Sequence, residues 1–198
     1  YTNLYQFNAT FPFNEVKSFR ATIGYRTDKG VLRAYDNNSG MPDQNALKYN
    51  DTVTRYIVSR FEYVHDNTIN PTQNIWVGSR YKIYFDMNVP TFNSTVGKGK
   101  ATLNLGFDGR IYHKIYRNFI WAGRAAGDFS WGNQKLIYYL GGVDGWIGPQ
   151  FNKNQPAADQ TYAFQSLALN MRGYNQNIAN GNNAVVINSE FRFPVFAT

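Results

Sequence analysis

Apolar and polar residues alternate along much of this chain, and in nearly every such stretch the apolar ones carry odd numbers. Tyr5, Phe7, Ala9 and Phe11 are separated by Gln6, Asn8 and Thr10, and Phe19, Ala21, Ile23 and Tyr25 alternate with Ser18, Arg20, Thr22, Gly24 and Arg26. The pattern returns at Ile75, Val77, Tyr81, Ile83 and Phe85 against Gly78, Arg80 and Lys82. It returns again at Ala101, Leu103, Leu105 and Phe107 against Lys100, Thr102, Asn104 and Gly106. Phe119, Trp121 and Ala125 continue it against Ala122 and Arg124, as do Val185, Ile187, Phe191 and Phe193 against Asn188, Glu190 and Arg192. Successive side chains of a strand point to opposite faces, so each segment has one greasy and one wet face. Seven strands are predicted, at about 4–12, 18–27, 55–64, 74–86, 100–113, 119–129 and 184–193. The third fits less well, because Tyr56, Val58 and Val64 are even.

The wet face holds Arg and Lys in mid-strand, not only Ser and Thr, so it needs bulk water or a hydrated interior. A transmembrane barrel has lipid outside and a polar lumen inside, which suits both faces. Predicted strand lengths match tilted spanning strands better than the short strands of small soluble sheets. Connections are expected to alternate: short at 12–17, 65–73 and 114–118, longer at 27–54, 87–99 and about 130–183. Short turns at one end and long loops at the other are the habit of outer-membrane barrels. The segments NNSGMPDQN and GNQKLIYYLGGVDGWIGPQFNKNQPAADQ read as loops from their Gly, Pro, Asn and Asp. On this reading Arg20, Arg26, Arg60, Arg80, Lys82, Arg110, Arg124 and Arg192 face the lumen against Glu62 and Glu190, a basic inner wall. Aromatics near the strand ends (Phe11, Phe13, Phe85, Trp121, Phe193, Phe196) would form interface girdles or, in a soluble protein, ordinary core.

Composition narrows the choices further. The 198 residues include 15 Tyr, 15 Phe and 4 Trp, yet mean hydropathy is −0.48. No apolar run approaches the roughly 20 residues of a spanning helix, which argues against a helical membrane protein and leaves a barrel open. There is no Cys, so disulfides and thiolate metal sites are excluded, and two isolated histidines, His65 and His113, argue against a His-based metal site. No cofactor is expected. The opening residues carry neither a charged n-region nor a cleavage site, as in a mature or truncated barrel chain or a cytosolic protein. The formal charge is +7, consistent with simple solubility or with an anionic partner such as lipid phosphates or nucleic acid.

Conventional catalytic signatures are absent: no nucleophile elbow, no Walker loop, no His–Glu zinc pattern. Asp128, Asp144 and Asp159, placed here in the long loop, read as turn formers. His113 has no identifiable orienting partner for general-base work. The chain is not expected to be an enzyme.

The informative motif is Leu140-Gly141-Gly142, followed after an insertion by Asn170-Met171-Arg172-Gly173-Tyr174. Gly181 then leads into a strand that carries Glu190. Here the sequence resembles the bacterial surface-antigen superfamily, the BamA-like barrels that assemble or translocate proteins at outer membranes; the insertion is similar to that of the Bacteroidota branch. The resemblance covers about 101–196. It implies an all-β, antiparallel transmembrane barrel whose long extracellular loop enters the lumen. It also implies that Met171, Arg172, Gly173 and Tyr174 form the loop tip, that Gly141 and Gly142 are the loop's Gly-Gly element, and that Glu190 is an inward acid holding Arg172. A guanidinium in a partly desolvated lumen needs a carboxylate, and a bidentate pair fixes direction as well as position. Read without the resemblance, Arg172-Gly173 is an exposed turn. Seven strands are too few for the roughly sixteen that the resemblance implies, so residues 1–198 are expected to be the central part of one larger barrel domain.

The leading functional expectation is a bacterial outer-membrane barrel in protein insertion or translocation, or a barrel subunit of a larger complex. Its partners would be outer-membrane lipid and lipopolysaccharide, other complex subunits or client β-barrel proteins. A soluble all-β carbohydrate-binding module is the alternative, and it requires the apolar face to pack against a second sheet. Nucleic acid is not an expected partner, because the positive charges sit singly on strand faces instead of clustering with aromatics. If the tip reading holds, Arg172→Ala and Glu190→Ala each impair assembly, measured as loss of the heat-modifiable folded band on gels, and the charge-swapped pair restores it. Wild-type behaviour of both single variants removes that role from the tip.

Overall fold

The computed structural model describes residues 1–30, 52–69, 77–91, 100–117, 119–142, 162–171 and 173–193. They form an all-β fold. Its main element is a seven-stranded antiparallel sheet ordered β1-β2-β3-β4-β5-β6-β10. Its strands are β1 (Thr2–Asn14), β2 (Lys17–Gly30), β3 (Thr52–Asp66), β4 (Gly78–Pro90), β5 (Thr102–Tyr116), β6 (Phe119–Gly132) and β10 (Asn183–Arg192). These are the seven strands that the alternation predicts, mostly a few residues longer at their ends. The sheet is open, with β1 and β10 at its edges.

The pairings explain how one parity comes to define one face. Tyr5 pairs with Tyr25, Tyr25 with Ile57, Phe61 with Phe85, Phe85 with Leu105, Leu105 with Phe129, and Ile187 with Ala125. Odd residues therefore meet odd residues in every strand, and the greasy faces of the separate segments fuse into one. Two irregularities, at Pro12/Asn14 and Lys114/Tyr116, fall beside the tight turns and leave the body of the sheet in register. Among the described residues nothing covers the odd face: Ile187 is 77% exposed, Phe7 72%, Ile83 50%, Leu105 41% and Phe19 37%.

The register also staggers. One row of paired residues runs Lys17, His65, Tyr81, Gly109, Ala125, Ile187. It starts at the first residue of β2 yet crosses β6 well inside that strand, which begins at Phe119. Strand ends thus slide progressively against the hydrogen-bonded rows, as they do in sheets whose strands tilt.

Three further strands differ from expectation, because they lie in the region read as a loop at 130–183. β7 (Lys135–Gly141), β8 (Tyr162–Asn170) and β9 (Ala179–Gly181) form a second sheet ordered β8-β7-β9, with β8 parallel and β9 antiparallel to β7. In β7, Leu136, Ile137 and Tyr138 are all buried, so the segment shows no alternation. A strand buried on both faces reads as a continuous apolar run. The second sheet lies on the even face, over β5, β6 and β10. Leu136 and Tyr138 pack on Ala184, while Leu140 and Met171 pack on Ala126 and Val186. Small even residues in β6 and β10 leave room for this layer.

Connection lengths also depart from expectation. β1–β2 and β5–β6 turn tightly at 15–16 and 117–118, but the β3–β4 connection spans 67–77, as long as β4–β5 at 91–101. At the base of the former, Asp66 accepts hydrogen bonds from the Thr68 hydroxyl at 2.6 Å and its backbone N–H at 3.1 Å, while Asn67 accepts one from the Ser79 N–H. These side chains extend the turn beyond its predicted length. The NNSGMPDQN segment lies outside the described residues.

Gly106 of β5 sits between Tyr84 of β4 and Asp128 of β6 in the register. The Tyr84 ring occupies the space that a Cβ on Gly106 would need, and its hydroxyl donates to Asp128 Oδ1 at 2.5 Å. Gly106→Ala is therefore expected to push the phenol off Asp128 and destabilise the sheet by about 1–3 kcal/mol. Thermal unfolding of the single and double variants checks this. In a Tyr84→Ala background the same Gly106→Ala change should cost far less; equal costs would exclude the overlap as the cause.

Candidate functional site

The even face is a charged, hydrogen-bonded surface, and its acids are the part that the sequence reading undercounted. Arg20, Arg26, Arg60, Arg80, Lys82, Arg110, Arg124 and Arg192 all lie in strands of the seven-stranded sheet, as expected. So do Asp28, Glu62, Asp66, Asp86, Asp108, Asp128 and Glu190, all even-numbered. Asp128 belongs to β6 and not to a loop, which corrects its reading as a turn former. Asp108 is forked by Arg124 (2.7 and 3.0 Å) and Arg110 (3.1 and 3.2 Å). Glu62 lies between Arg20 at 3.4 Å and Arg60 at 3.3 Å, and Arg60 also reaches Asp86 at 3.5 Å. Arg26 lies over the Tyr56 ring and Arg60 over Tyr84. The even aromatic Tyr56 and the even Val58, which packs at Gly24, thus account for the weak alternation of β3. The wall is charge-compensated more than simply basic.

The second sheet is fastened to this wall by polar side chains. Tyr138 donates its hydroxyl to Asn104 Oδ1 at 2.6 Å, and Asn104 Nδ2 donates to Asp86 at 3.3 Å. The Leu136 N–H donates to Ser130 Oγ at 2.8 Å, and Asn182 Nδ2 donates to the Leu136 carbonyl at 3.0 Å. Asn104, Ser130 and Tyr138 are each buried, so these bonds are shielded from water. Burial, then the carboxylates of Asp128 and Asp86, push the Tyr138 phenol above its ordinary range. It stays protonated and remains a donor.

Gly141 and Gly142 meet the tip segment directly. Met171 donates its N–H to the Gly141 carbonyl at 2.9 Å, and Gly142 donates its own to Tyr174 O at 3.1 Å. A Cβ at Gly141 would collide with Asn175 O, and one at Gly142 with Tyr174 O. Gly141 also has φ +151° and Gly173 φ +82°, conformations that side-chain-bearing residues rarely adopt. The Gly-Gly element is thus the place where two backbones come too close for any side chain. The structure thus brings Gly141 and Gly142 against Met171 and Tyr174, a contact that the sequence reading did not state.

Met171, Tyr174 and Glu190 then line one cavity of about 420 Å³ with Arg110, Arg124 and Arg192. Asn188 borders it too, and its Oδ1 is buried with no hydrogen-bond partner among the described residues. Glu190 is bound by its strand neighbour Arg192 at 2.8 Å. Arg172 lies outside the described residues, so its pairing with Glu190 does too; Asp144, Asp159 and Phe196 are likewise outside. Arg20, Arg80 and Lys82 sit apart from this cavity, nearer the tight turns. Among the described residues no cluster of His, Cys, Asp or Glu could hold a metal ion. The residues that sequence reading missed are Tyr84, Asn104, Asp86, Asp108 and Tyr138. The even numbering of the first four was a usable signal; Tyr138 carried none.

No protein-family model matches the chain, and no curated protein matches it in sequence.

Tyr138→Phe leaves Asn104 Oδ1 buried without its donor, which is expected to cost about 1–3 kcal/mol. Gly142→Ala should instead drive residues 171–174 off the second sheet. Limited proteolysis reads both, as faster cleavage within 133–182 while the seven-stranded sheet stays protected. Unchanged cleavage in both variants would mean that these contacts do not hold the layer.

Proposed function

We propose that this chain is part of an outer-membrane β-barrel resembling the BamA-like superfamily, acting in outer-membrane protein insertion or translocation or as the barrel subunit of an outer-membrane complex. One observation carries the reading. The second layer of protein lies on the polar, even face, while no described element covers the apolar, odd face of the seven-stranded sheet. A soluble sandwich does the opposite and buries its apolar faces against each other. Bare isoleucines and aromatics over such an area are stable against hydrocarbon and not against water.

Three further features support it. The strands are long enough to span a membrane when tilted. The staggered register is of the kind that closing a barrel requires. The second sheet sits on the ion-paired face, where a lumen would be, with Gly141 and Gly142 against Met171 and Tyr174. On this reading lipid and lipopolysaccharide contact the odd face. Open edge strands at β1 and β10 offer backbone hydrogen bonds to further strands, whether of the same barrel, of a client or of a partner subunit.

The absence of cysteine makes a direct test clean. Single Cys substitutions at Ile23, Ile83 and Ile187 (odd) and at Thr22 and Asn188 (even) would carry nitroxide labels in reconstituted membranes. Odd sites are expected to be quenched by oxygen dissolved in lipid, and even sites by a water-soluble nickel chelate. Nickel access at all three odd sites, with full solubility lacking detergent, would sink the barrel reading in favour of a soluble module.

A further inference from the structure

We propose that the even face near the tight turns carries an anion-binding site for a small, soluble oxyanion-bearing solute. It rests on the barrel reading only in placing that site on the inner side of the wall. A cavity of about 460 Å³ opens there between the β1–β2 turn and strands β2 to β5. Lys17, Arg20, Arg80, Lys82 and Arg110 line it.

The acids that share this cavity are already engaged. Glu62 is held by Arg20 and Arg60, Asp108 by Arg110 and Arg124, and Asp66 by Thr68 and, at 3.7 Å, by Arg80. Glu15 is exposed in the turn. Lys17 and Lys82 enter no ion pair among the described residues; the Lys82 ammonium rests 5.2 Å from the Tyr84 ring centroid. Arg20 meets Glu62 through one nitrogen at 3.4 Å, which leaves most of its N–H fork unused. One ammonium group without an ion pair among the described residues, that of Lys82, and a half-used guanidinium thus meet on one concave surface, which Lys17 borders at the β1–β2 turn. Phosphate and carboxylate groups satisfy such donors through charge-assisted hydrogen bonds. The space accommodates a small metabolite and not a folded partner. Because the cations project from paired strands, the arrangement is preformed.

Titration of inorganic pyrophosphate into the detergent-solubilised protein by calorimetry tests this. Saturable binding that weakens as salt rises is expected, and about tenfold loss of affinity in the Lys17→Gln/Lys82→Gln variant. Neither lysine pairs with a carboxylate among the described residues, so that variant should keep its heat-modifiable band. Lys82→Arg should retain binding. Absent pyrophosphate binding, or binding equal in wild type and the double variant, overturns the site. So does association with phosphatidylglycerol vesicles alone, which would make the ligand a lipid headgroup. The gel shift separates the two readings. A heat-modifiable protein that ignores pyrophosphate refutes the anion site only, whereas binding by a protein without that shift refutes the barrel and leaves the site standing.

Discussion

Because the pairings in the main sheet, away from the two irregularities, join residues of equal parity, a slip of one residue between any two strands would carry a strand's apolar set onto the charged side. That would place Phe and Ile beside Asp108 and Arg124, and strip those ions of their partners. The penalty on both faces at once is what holds the register. Continuity of the two surfaces depends on it, and so does every contact made by the second sheet. The two irregularities lie beside tight turns, where a local shift displaces no face. Long strands with polar residues in their middles would otherwise be poorly specified; here the charge pattern itself acts as the register mark.

Much of this was legible from alternation alone, since period-two patterning needs no knowledge of what pairs with what. The strands and the face of each charged residue follow from counting along Phe19–Arg26 or Leu103–Arg110. The partners of those charges do not. Tyr84 and Asp128 meet only because β4, β5 and β6 fall in one register, across Gly106 and a long separation in sequence. The second sheet was hidden for a related reason. Leu136-Ile137-Tyr138 is buried on both sides and lies among Gly, Asn and Gln, so local composition spoke for a loop. The parallel pairing of β7 with β8 is non-local as well, and no short motif announces it. Gly141-Gly142, by contrast, stood out because two adjacent glycines mark a close backbone approach, which is what the fold places there.

The polar side of the sheet is also where its order resides. The buried apolar residues of the main sheet that the second sheet packs on are small: Ala126, Ala184 and Val186. They provide a flat bed for β7 more than a conventional core. Rigidity comes instead from linked groups: Tyr138 to Asn104 to Asp86 to Arg60 to Glu62 to Arg20 runs from the second sheet across to β2. Every member but Arg20 is at least partly shielded, so loss of one leaves its neighbours with unmet demand. Such a chain links the second sheet to the far strands without any large hydrophobic interface between them.

The phenol of Tyr84 reaches past β5 to grip β6, joining strands that share no ladder of their own. The bond sets the distance between β4 and β6 on the ionic face, where no backbone pairing does so. The missing side chain at residue 106 is therefore what allows two strands that are not neighbours to be tied directly across the one between them.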